Sequence, residues 1–143
     1  MANYEENIKA ALAGFEKVLR SQLERVERIN ASKDVVDYDK LPVITIGICG
    51  GDGIGPVITK ASQDVLEYLL ADEVKSGKVK FKVIDGLTIE NRVACMKAIP
   101  DDVMEELKSC DVILKGPTTT PRAGDPRPNI ESANVAMRKA LDL

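Results

Sequence analysis

The sequence predicts an α/β fold in which a long N-terminal helix precedes a parallel sheet. Apolar residues recur every three or four positions along residues 2–31, which is typical of one amphipathic helix. From residue 43 onward, short apolar runs alternate with helix-like segments, a pattern that predicts βαβ units with right-handed crossovers. We therefore expect a helical extension and linker over residues 1–39 and an α/β domain over residues 40–143.

The N-terminal helix carries a narrow apolar stripe, and charged residues fill its other faces. The stripe is formed by Ile8, Leu12, Phe15, Leu19, Leu23, Val26 and Ile29. Its near-heptad step favours packing against another helix, and we expect a homo-oligomer that could form in this way. Packing of the helix across its own domain is an equally good interpretation. Residues 30–39 are polar and charged, which predicts a linker.

The predicted domain begins with residues 43–49, an almost unbroken apolar run that is typical of a central strand covered on both faces. After a glycine-rich loop, Pro56 suits the first turn of a helix that we expect to reach about residue 71. Residues 78–84 alternate between polar and apolar side chains, which predicts a second strand. Its apolar side would be formed by Val79, Phe81 and Val83.

Two further helices and a third strand complete the predicted sheet. Residues 88–97 predict a weak helix, and another begins at Pro100. Asp101 and Asp102 lie in the first turn of this second helix, where the helix dipole favours acids. Its buried side would be formed by Val103, Met104 and Leu107. Residues 111–115 predict the third strand.

The last predicted helix begins with polar side chains that suit an anion. We place Ser132 at the N-cap, where its hydroxyl would accept a hydrogen bond from a free amide of the first turn. Asn134 and Arg138 are four residues apart and therefore share a face. Because a helix N-terminus favours anions, the three side chains predict a carboxylate pocket. An ordinary capped helix with a solvated arginine is the alternative.

The glycine loop, residues 50–55, joins the first strand to the following helix. Glycines permit positive φ and let a ligand approach the backbone closely. As a nucleotide signal the loop is weak, because the spacing of the Gly-x-Gly-x-x-Gly fingerprint is wrong and no Lys-Ser/Thr pair follows. A tight structural turn is the alternative.

Three motifs, in this order, resemble the isocitrate/isopropylmalate dehydrogenase family. They are Gly51-Asp52-Gly53-Ile54-Gly55-Pro56, Lys115-Gly-Pro-Thr-Thr-Thr-Pro121 and Ser132-Ala-Asn134-Val-Ala-Met-Arg138. The resemblance covers roughly residues 42–143 and leaves out the first forty. It implies part of an isopropylmalate dehydrogenase-like parallel-sheet domain, closest to isocitrate dehydrogenase.

The resemblance also implies a reaction. Family members oxidise a 2-hydroxy diacid or triacid with NAD or NADP and then remove the β-carboxylate, assisted by Mg²⁺ or Mn²⁺. The substrate-binding residues that it implies are Ser132, Asn134 and Arg138, and the coenzyme-side residues are Ile54, Lys115, Thr119 and Thr120. Family members that act on isopropylmalate favour leucine-like residues at the first positions, so the polar pair points to isocitrate. The family's proton-transfer residues and metal-binding aspartates come after the position of Leu143, so we expect no catalytic residue and no metal ligand in this chain.

Composition argues against several other classes. The 143 residues carry a net charge of −3, which gives no case for nucleic acid or a membrane surface as a partner. There is no histidine, and the three scattered cysteines give no metal spacing and fit a reducing cytoplasm. No apolar run approaches the length of a membrane span.

Three functional hypotheses follow. In the first, the chain is the N-terminal segment of an isocitrate dehydrogenase that converts isocitrate to 2-oxoglutarate with NAD or NADP, and it is inactive by itself. In the second, it is a non-catalytic binding or regulatory subunit, or half of a split enzyme, that docks through its N-terminal helix. In the third, it is a small α/β domain whose motifs are only structural.

Overall fold

The computed structural model describes residues 3–31 and 36–143 of the chain. It contains two compact units, residues 1–39 and residues 40–143. In the first unit, helix α1 spans Tyr4–Ala31, with acids in its first turn and Arg28 in its last turn, where each sign complements the helix dipole. The start of the predicted helix at residue 2 and linker residues 32–35 lie outside the described residues.

The predicted long helix is confirmed, and its apolar stripe is solvent-accessible in this structure. None of the α1 residues is buried, and the seven stripe residues are between 47% and 64% exposed. The opposite faces carry charges, including an ion pair between Arg20 and Glu16 one turn apart (2.6 Å). Exposed pairs of this kind contribute only about 0.3–0.5 kcal/mol each, so they stabilise the helix slightly. They give no information about a partner for the apolar face.

The second unit is built on a three-stranded parallel sheet, which confirms the predicted fold class. Strand β1 spans Ile44–Cys49, β2 spans Val79–Val83 and β3 spans Val112–Lys115. Their order is β2-β1-β3, so the most apolar run is indeed the central strand. In the register, Ile46 of β1 lies beside Phe81 of β2 and Val112 of β3.

Five helices connect and cover the strands. They are α2 (Gly55–Leu69), α3 (Ala71–Ser76), α4 (Ile89–Ala94), α5 (Asp101–Lys108) and α6 (Ala133–Ala140). The helix expected to reach residue 71 stops at Leu69, and the short α3, which was not predicted, follows it. Gly77 then ends α3 in the left-handed conformation, with φ +81°. The predicted 88–97 helix is also shorter, because Met96 adopts a positive φ of 53°.

The core lies on both faces of the sheet. On one face, Cys49 packs with residues of α5 and α6, among them Leu107 and Met137. On the other face, Ile46 and Ile48 pack with Val79, and Leu70 packs against this cluster. Alternate residues of β1 therefore face opposite layers, as an unbroken apolar strand requires.

The predicted burial of β2 and α5 is only partly correct. Val79 is buried and Phe81 half-buried, but Val83 is 60% exposed because it ends an edge strand at the rim of an open cavity. On α5, Val103 and Leu107 are buried, whereas Met104 packs at the margin of the core.

Candidate functional site

The carboxyl ends of β1 and β3 bring two loops together. The glycine loop follows β1, and the threonine loop, residues 116–121, follows β3. The amide of Gly116 donates to the carbonyl of Cys49 (2.7 Å), and the amide of Asp52 donates to the carbonyl of Pro117 (2.8 Å). Gly51 has φ +71°, and a Cβ atom on it would lie 2.1 Å from the Pro117 carbonyl oxygen. Only glycine allows this approach, so the loop is a tight structural contact as well as a candidate ligand edge.

The carboxylate of Asp52 holds the start of α4 and the threonine loop. Its Oδ1 accepts a hydrogen bond from the amide of Ile89 (2.8 Å), and its Oδ2 accepts one from the amide of Thr119 (2.6 Å). Hydrogen bonds to an ionised acceptor are stronger than neutral ones. Asp52 therefore links the glycine loop, α4 and the predicted coenzyme-side threonine.

A buried arginine completes this arrangement from the other side. Arg92 is 0% exposed. Its Nε donates to the carbonyl of Ala98 (2.7 Å), its Nη1 to the carbonyl of Thr119 (2.6 Å) and its Nη2 to the carbonyl of Glu131 (3.0 Å). Because Glu131 directly precedes Ser132, Arg92 connects the threonine loop to the start of α6.

The predicted coenzyme-side residues differ in their surroundings. Lys115 is half-buried, and its Nζ donates to the Gly116 carbonyl (2.6 Å) and to Thr118 Oγ1 (3.2 Å). Burial lowers the pKa of Lys115 and the charge of Arg92 lowers it further, whereas Cys49 and Asp52 act in the opposite direction. These two bonds hold the Nζ of Lys115 close to the threonine loop as a hydrogen-bond donor.

The three other coenzyme-side residues differ in their exposure and in how the structure holds them. Thr119 is half-buried and fixed through its backbone, whereas Thr120 is exposed. The side chain of Ile54 is 66% exposed, and its backbone carbonyl accepts the first hydrogen bonds of α2. The structure thus joins Lys115 and Thr119 to one loop but leaves Ile54 on the surface of the glycine loop.

The start of α6 presents the predicted substrate residues. Ser132 occupies the N-cap position, and its carbonyl accepts from the amide of Ala136 (3.0 Å). The predicted capping bond was wrong: the hydroxyl of Ser132 makes no bond to the first turn. This leaves the hydroxyl available to a ligand. Asn134 and Arg138 are both exposed on the helix, and the Arg138 guanidinium has no hydrogen-bond partner within residues 3–31 and 36–143.

A cavity of about 290 Å³ opens beside the glycine loop, at the carboxyl ends of β1 and β2. Its lining includes Thr59 and Lys60 of α2, and Asp85 after β2. Its volume is near the lower limit for a small-molecule pocket. None of the seven predicted site residues lines it, so it is separate from the region around the threonine loop and α6.

Sequence reasoning missed the roles of Asp52 and Arg92. In the sequence, Asp52 stands out only as part of the Gly51–Pro56 motif, and Arg92 lies within the weak helix predicted over residues 88–97. The available signal for Arg92 was its place between Ile89 and Val93, where a charged residue interrupts an apolar face. Its partners are backbone carbonyls from distant segments, which no local pattern reveals.

A resident metal ion does not fit the residues that the structure describes. Among them, no group of three histidine, cysteine, aspartate or glutamate side chains is arranged to hold a cation. In the same part of the chain, no helix combines the length and the apolar character needed to cross a membrane.

The chain is similar to known proteins, both to a family profile and to individual sequences. A family profile described as isocitrate/isopropylmalate dehydrogenase matches residues 45–143. An isocitrate dehydrogenase (NADP) of Staphylococcus epidermidis is 34% identical over 119 residues, which are 82% of this chain and 26% of that protein. The mitochondrial isocitrate dehydrogenase (NAD) regulatory subunit 3 of Arabidopsis thaliana is 33% identical over 99 residues, 69% of this chain and 23% of that protein.

A solved structure gives a consistent result. The crystal structure of a beta-decarboxylating dehydrogenase from Thermococcus kodakarensis, in its apo form, superposes with a TM-score of 0.55 at 28% sequence identity. The match covers 70% of this chain and 27% of that one. The chain thus spans about a quarter of the length of the relatives that it matches.

Proposed function

We propose, since the chain belongs to the isocitrate/isopropylmalate dehydrogenase family, that it supplies the N-terminal part of an isocitrate dehydrogenase. In this role it carries part of the site for isocitrate and part of the site for NAD or NADP. The observation that carries the proposal is the start of α6, where Ser132, Asn134 and Arg138 present a hydroxyl, an amide and a guanidinium within two turns.

The polarity of this helix start favours isocitrate over isopropylmalate. A γ-carboxylate can accept hydrogen bonds from a hydroxyl, an amide and the free amides of a helix N-terminus. An isopropyl group bound here would cover Ser132 and Asn134 without pairing them, at a cost of about 1–3 kcal/mol for each polar group that it buries. Arg138 can clamp a carboxylate through two parallel charge-assisted bonds.

The threonine loop supports the coenzyme part of the proposal. Lys115, Thr119 and Thr120 would border the nicotinamide side, and Ile54 would border the adenosine. The bound coenzyme would supply hydride acceptance, and the loop would supply an ammonium and hydroxyl donors to orient it. The metal ion that the family requires has no ligand set in the described residues, so we assign no step of the reaction to a metal held by this chain.

Catalytic inactivity of the isolated chain is part of the proposal. With no histidine in the sequence and no metal cluster in its described part, the chain offers no convincing general base. An assay with isocitrate, NAD or NADP and Mg²⁺ should show no turnover above the buffer rate. Steady turnover by the purified chain would contradict this part.

The three free cysteines favour a reducing cytoplasmic location.

Isothermal titration of isocitrate with Mg²⁺ tests the substrate site. Arg138→Ala should weaken binding by about tenfold or more, because each charge-assisted hydrogen bond contributes roughly 1.5–3 kcal/mol. Lys139→Ala is the matched control, since Lys139 is the neighbouring cation and already pairs with Glu131 (2.7 Å). It should change the affinity less than about twofold. Equal losses in both variants would refute a specific role of Arg138.

A second candidate is a non-catalytic regulatory subunit, or half of a split enzyme, that assembles through α1. It is favoured by the exposed apolar stripe of α1 and by the similarity to a regulatory subunit of Arabidopsis thaliana. Homo-oligomerisation through the same stripe belongs to this proposal, because a second copy presents a matching apolar seam.

Sedimentation of the full chain tests the assembly role. Combining Leu12→Asp with Leu19→Asp places two charges in the stripe and should dissociate the oligomer. Combining Ala10→Asp with Ala13→Asp adds the same charge on the outer faces of the helix and should leave the mass unchanged. An unchanged mass in the stripe variant, or a monomeric wild type, would contradict assembly through α1.

A further inference from the structure

Arg92 is a charged side chain at the centre of the second unit. It is fully buried, and all three of its hydrogen-bond partners are backbone carbonyls. Burial lowers the pKa of Arg92, and the charge of Asp52 acts in the opposite direction. Burying a guanidinium is costly unless its donors are satisfied. Here the three carbonyls satisfy the guanidinium, and an apolar residue in the same space would leave them without these donors.

The three carbonyls belong to separate segments of the chain. Ala98 lies before α5, Thr119 lies in the threonine loop, and Glu131 lies directly before the N-cap of α6. Each distance lies between 2.6 and 3.0 Å, within the normal range for hydrogen bonds. One planar side chain therefore fixes the distances between these segments.

Thr119 is held from both sides of its backbone. Its amide donates to the carboxylate of Asp52 (2.6 Å), and its carbonyl accepts from Arg92 Nη1 (2.6 Å). Two side chains of opposite charge thus form hydrogen bonds with the backbone of one residue of the threonine loop. This loop has no regular secondary structure of its own, so these bonds help to place its side chains, together with the backbone bonds at Gly116 and Pro117.

We propose that Arg92 is the positioning residue that sets the spacing between the threonine loop and the start of α6. It does not contact the ligand; it acts through Thr119 and through Glu131, the neighbour of Ser132. The inference rests on the proposed function, because the two segments that Arg92 connects are the coenzyme-side and substrate-side parts of that site.

The chemistry of arginine explains the choice of residue. The guanidinium presents donors in a fixed planar fork, and three of its nitrogens reach three different carbonyls here. A lysine ammonium keeps the charge but is a single point on a flexible stem, so it cannot reach all three. Arg92→Lys therefore keeps the positive charge but loses the planar fork of donors. Arg92→Met loses both the charge and the donors and keeps an apolar stem of similar length.

Two measurements on the full chain test the proposal. Amide hydrogen exchange should show that Arg92→Lys accelerates exchange at Thr119 by about tenfold, because a hydrogen bond to a charged group is lost beside it. Exchange at Ile48 in the central strand should change less than twofold. Titration with isocitrate and Mg²⁺ should show about a tenfold weaker affinity for Arg92→Lys and a larger loss for Arg92→Met.

Val103→Ala separates positioning from stability. Val103 is buried in the core cluster with Leu107 and Met137, and its apolar side chain cannot make a hydrogen bond to the threonine loop. Its truncation should lower the melting temperature and leave the isocitrate affinity of the folded chain within about twofold of wild type. If Arg92→Lys raises exchange uniformly and changes affinity no more than Val103→Ala, Arg92 is only structural and the proposal is overturned.

The two proposals can fail independently. If the wild-type chain binds no isocitrate, the proposed function fails, and the exchange experiment still decides the role of Arg92. Selective deprotection of Thr119 and of Ala136, whose amide donates to the Ser132 carbonyl (3.0 Å), then supports the positioning role. Uniform deprotection contradicts it.

Discussion

The contact between Gly51 and Pro117 should be the most sensitive point of the glycine loop. Gly51→Ala places a methyl group where the nearest atom, the Pro117 carbonyl oxygen, lies at 2.1 Å. The left-handed φ of +71° alone costs an alanine about 1–2 kcal/mol. Separating the loops also weakens the bond from the Asp52 amide to the Pro117 carbonyl (2.8 Å), which contributes roughly 0.5–1.5 kcal/mol. We expect a total loss of about 3 kcal/mol.

Gly53→Ala is the matched control for this prediction. Gly53 also has a positive φ, +58°, but a Cβ on it meets nothing within 4 Å. Only the backbone strain applies, and we expect a loss of about 1–2 kcal/mol. The melting temperature should therefore fall about twice as far for Gly51→Ala as for Gly53→Ala. A loss of 1 kcal/mol lowers the melting temperature of a domain this size by roughly 4–8 °C. Equal shifts for the two variants would refute the close contact.

Two further predictions concern single side chains. Cys95 is exposed, whereas Cys49 is buried, and burial raises the pKa of Cys49 to about 11. At pH 8 a thiol reagent should therefore modify Cys95 at least about a hundredfold faster than Cys49. Equal modification rates for the two cysteines would contradict the buried position of Cys49. Hydrogen bonds from Arg127 lower the pKa of Asp125 from 3.8 to about 2. The stabilisation from this carboxylate is therefore present above about pH 4 and is lost as the pH falls through about 2. Carboxyl carbon chemical shifts should show this midpoint. Arg127→Ala removes the side-chain bonds but keeps the backbone bond, and it should raise the midpoint towards 3.8. An unchanged midpoint in that variant would exclude the Arg127 side chain as the main cause.

Much of the fold follows from local patterns. The apolar run of β1 predicted a central strand because both faces of that strand are covered, and the structure confirms it. The glycine and proline at the start of α2 predicted the transition from strand to helix for backbone reasons alone. Val83 was predicted wrongly because alternation gives the direction of a side chain but not whether another element covers it.

The candidate site was predictable in its residue types and less so in its geometry. Ser132 was correctly placed at the N-cap position because serine is preferred there, but its rotamer depends on its surroundings, and the predicted capping bond is absent. Arg92 could not be assigned from the sequence, because its three partners lie 6, 27 and 39 residues away. Long-range bonds to backbone carbonyls impose no residue type on the partner and so leave no pattern.

Chemical-shift mapping of the isotope-labelled chain with isocitrate and Mg²⁺ tests the substrate site most directly. We predict that the largest saturable amide shifts occur at Ser132, Asn134 and Arg138, with smaller shifts in the threonine loop, and that Arg138→Ala abolishes them. Saturable shifts confined to the cavity around Asp85, or no saturable shift at millimolar isocitrate, would show that the start of α6 does not form the substrate site.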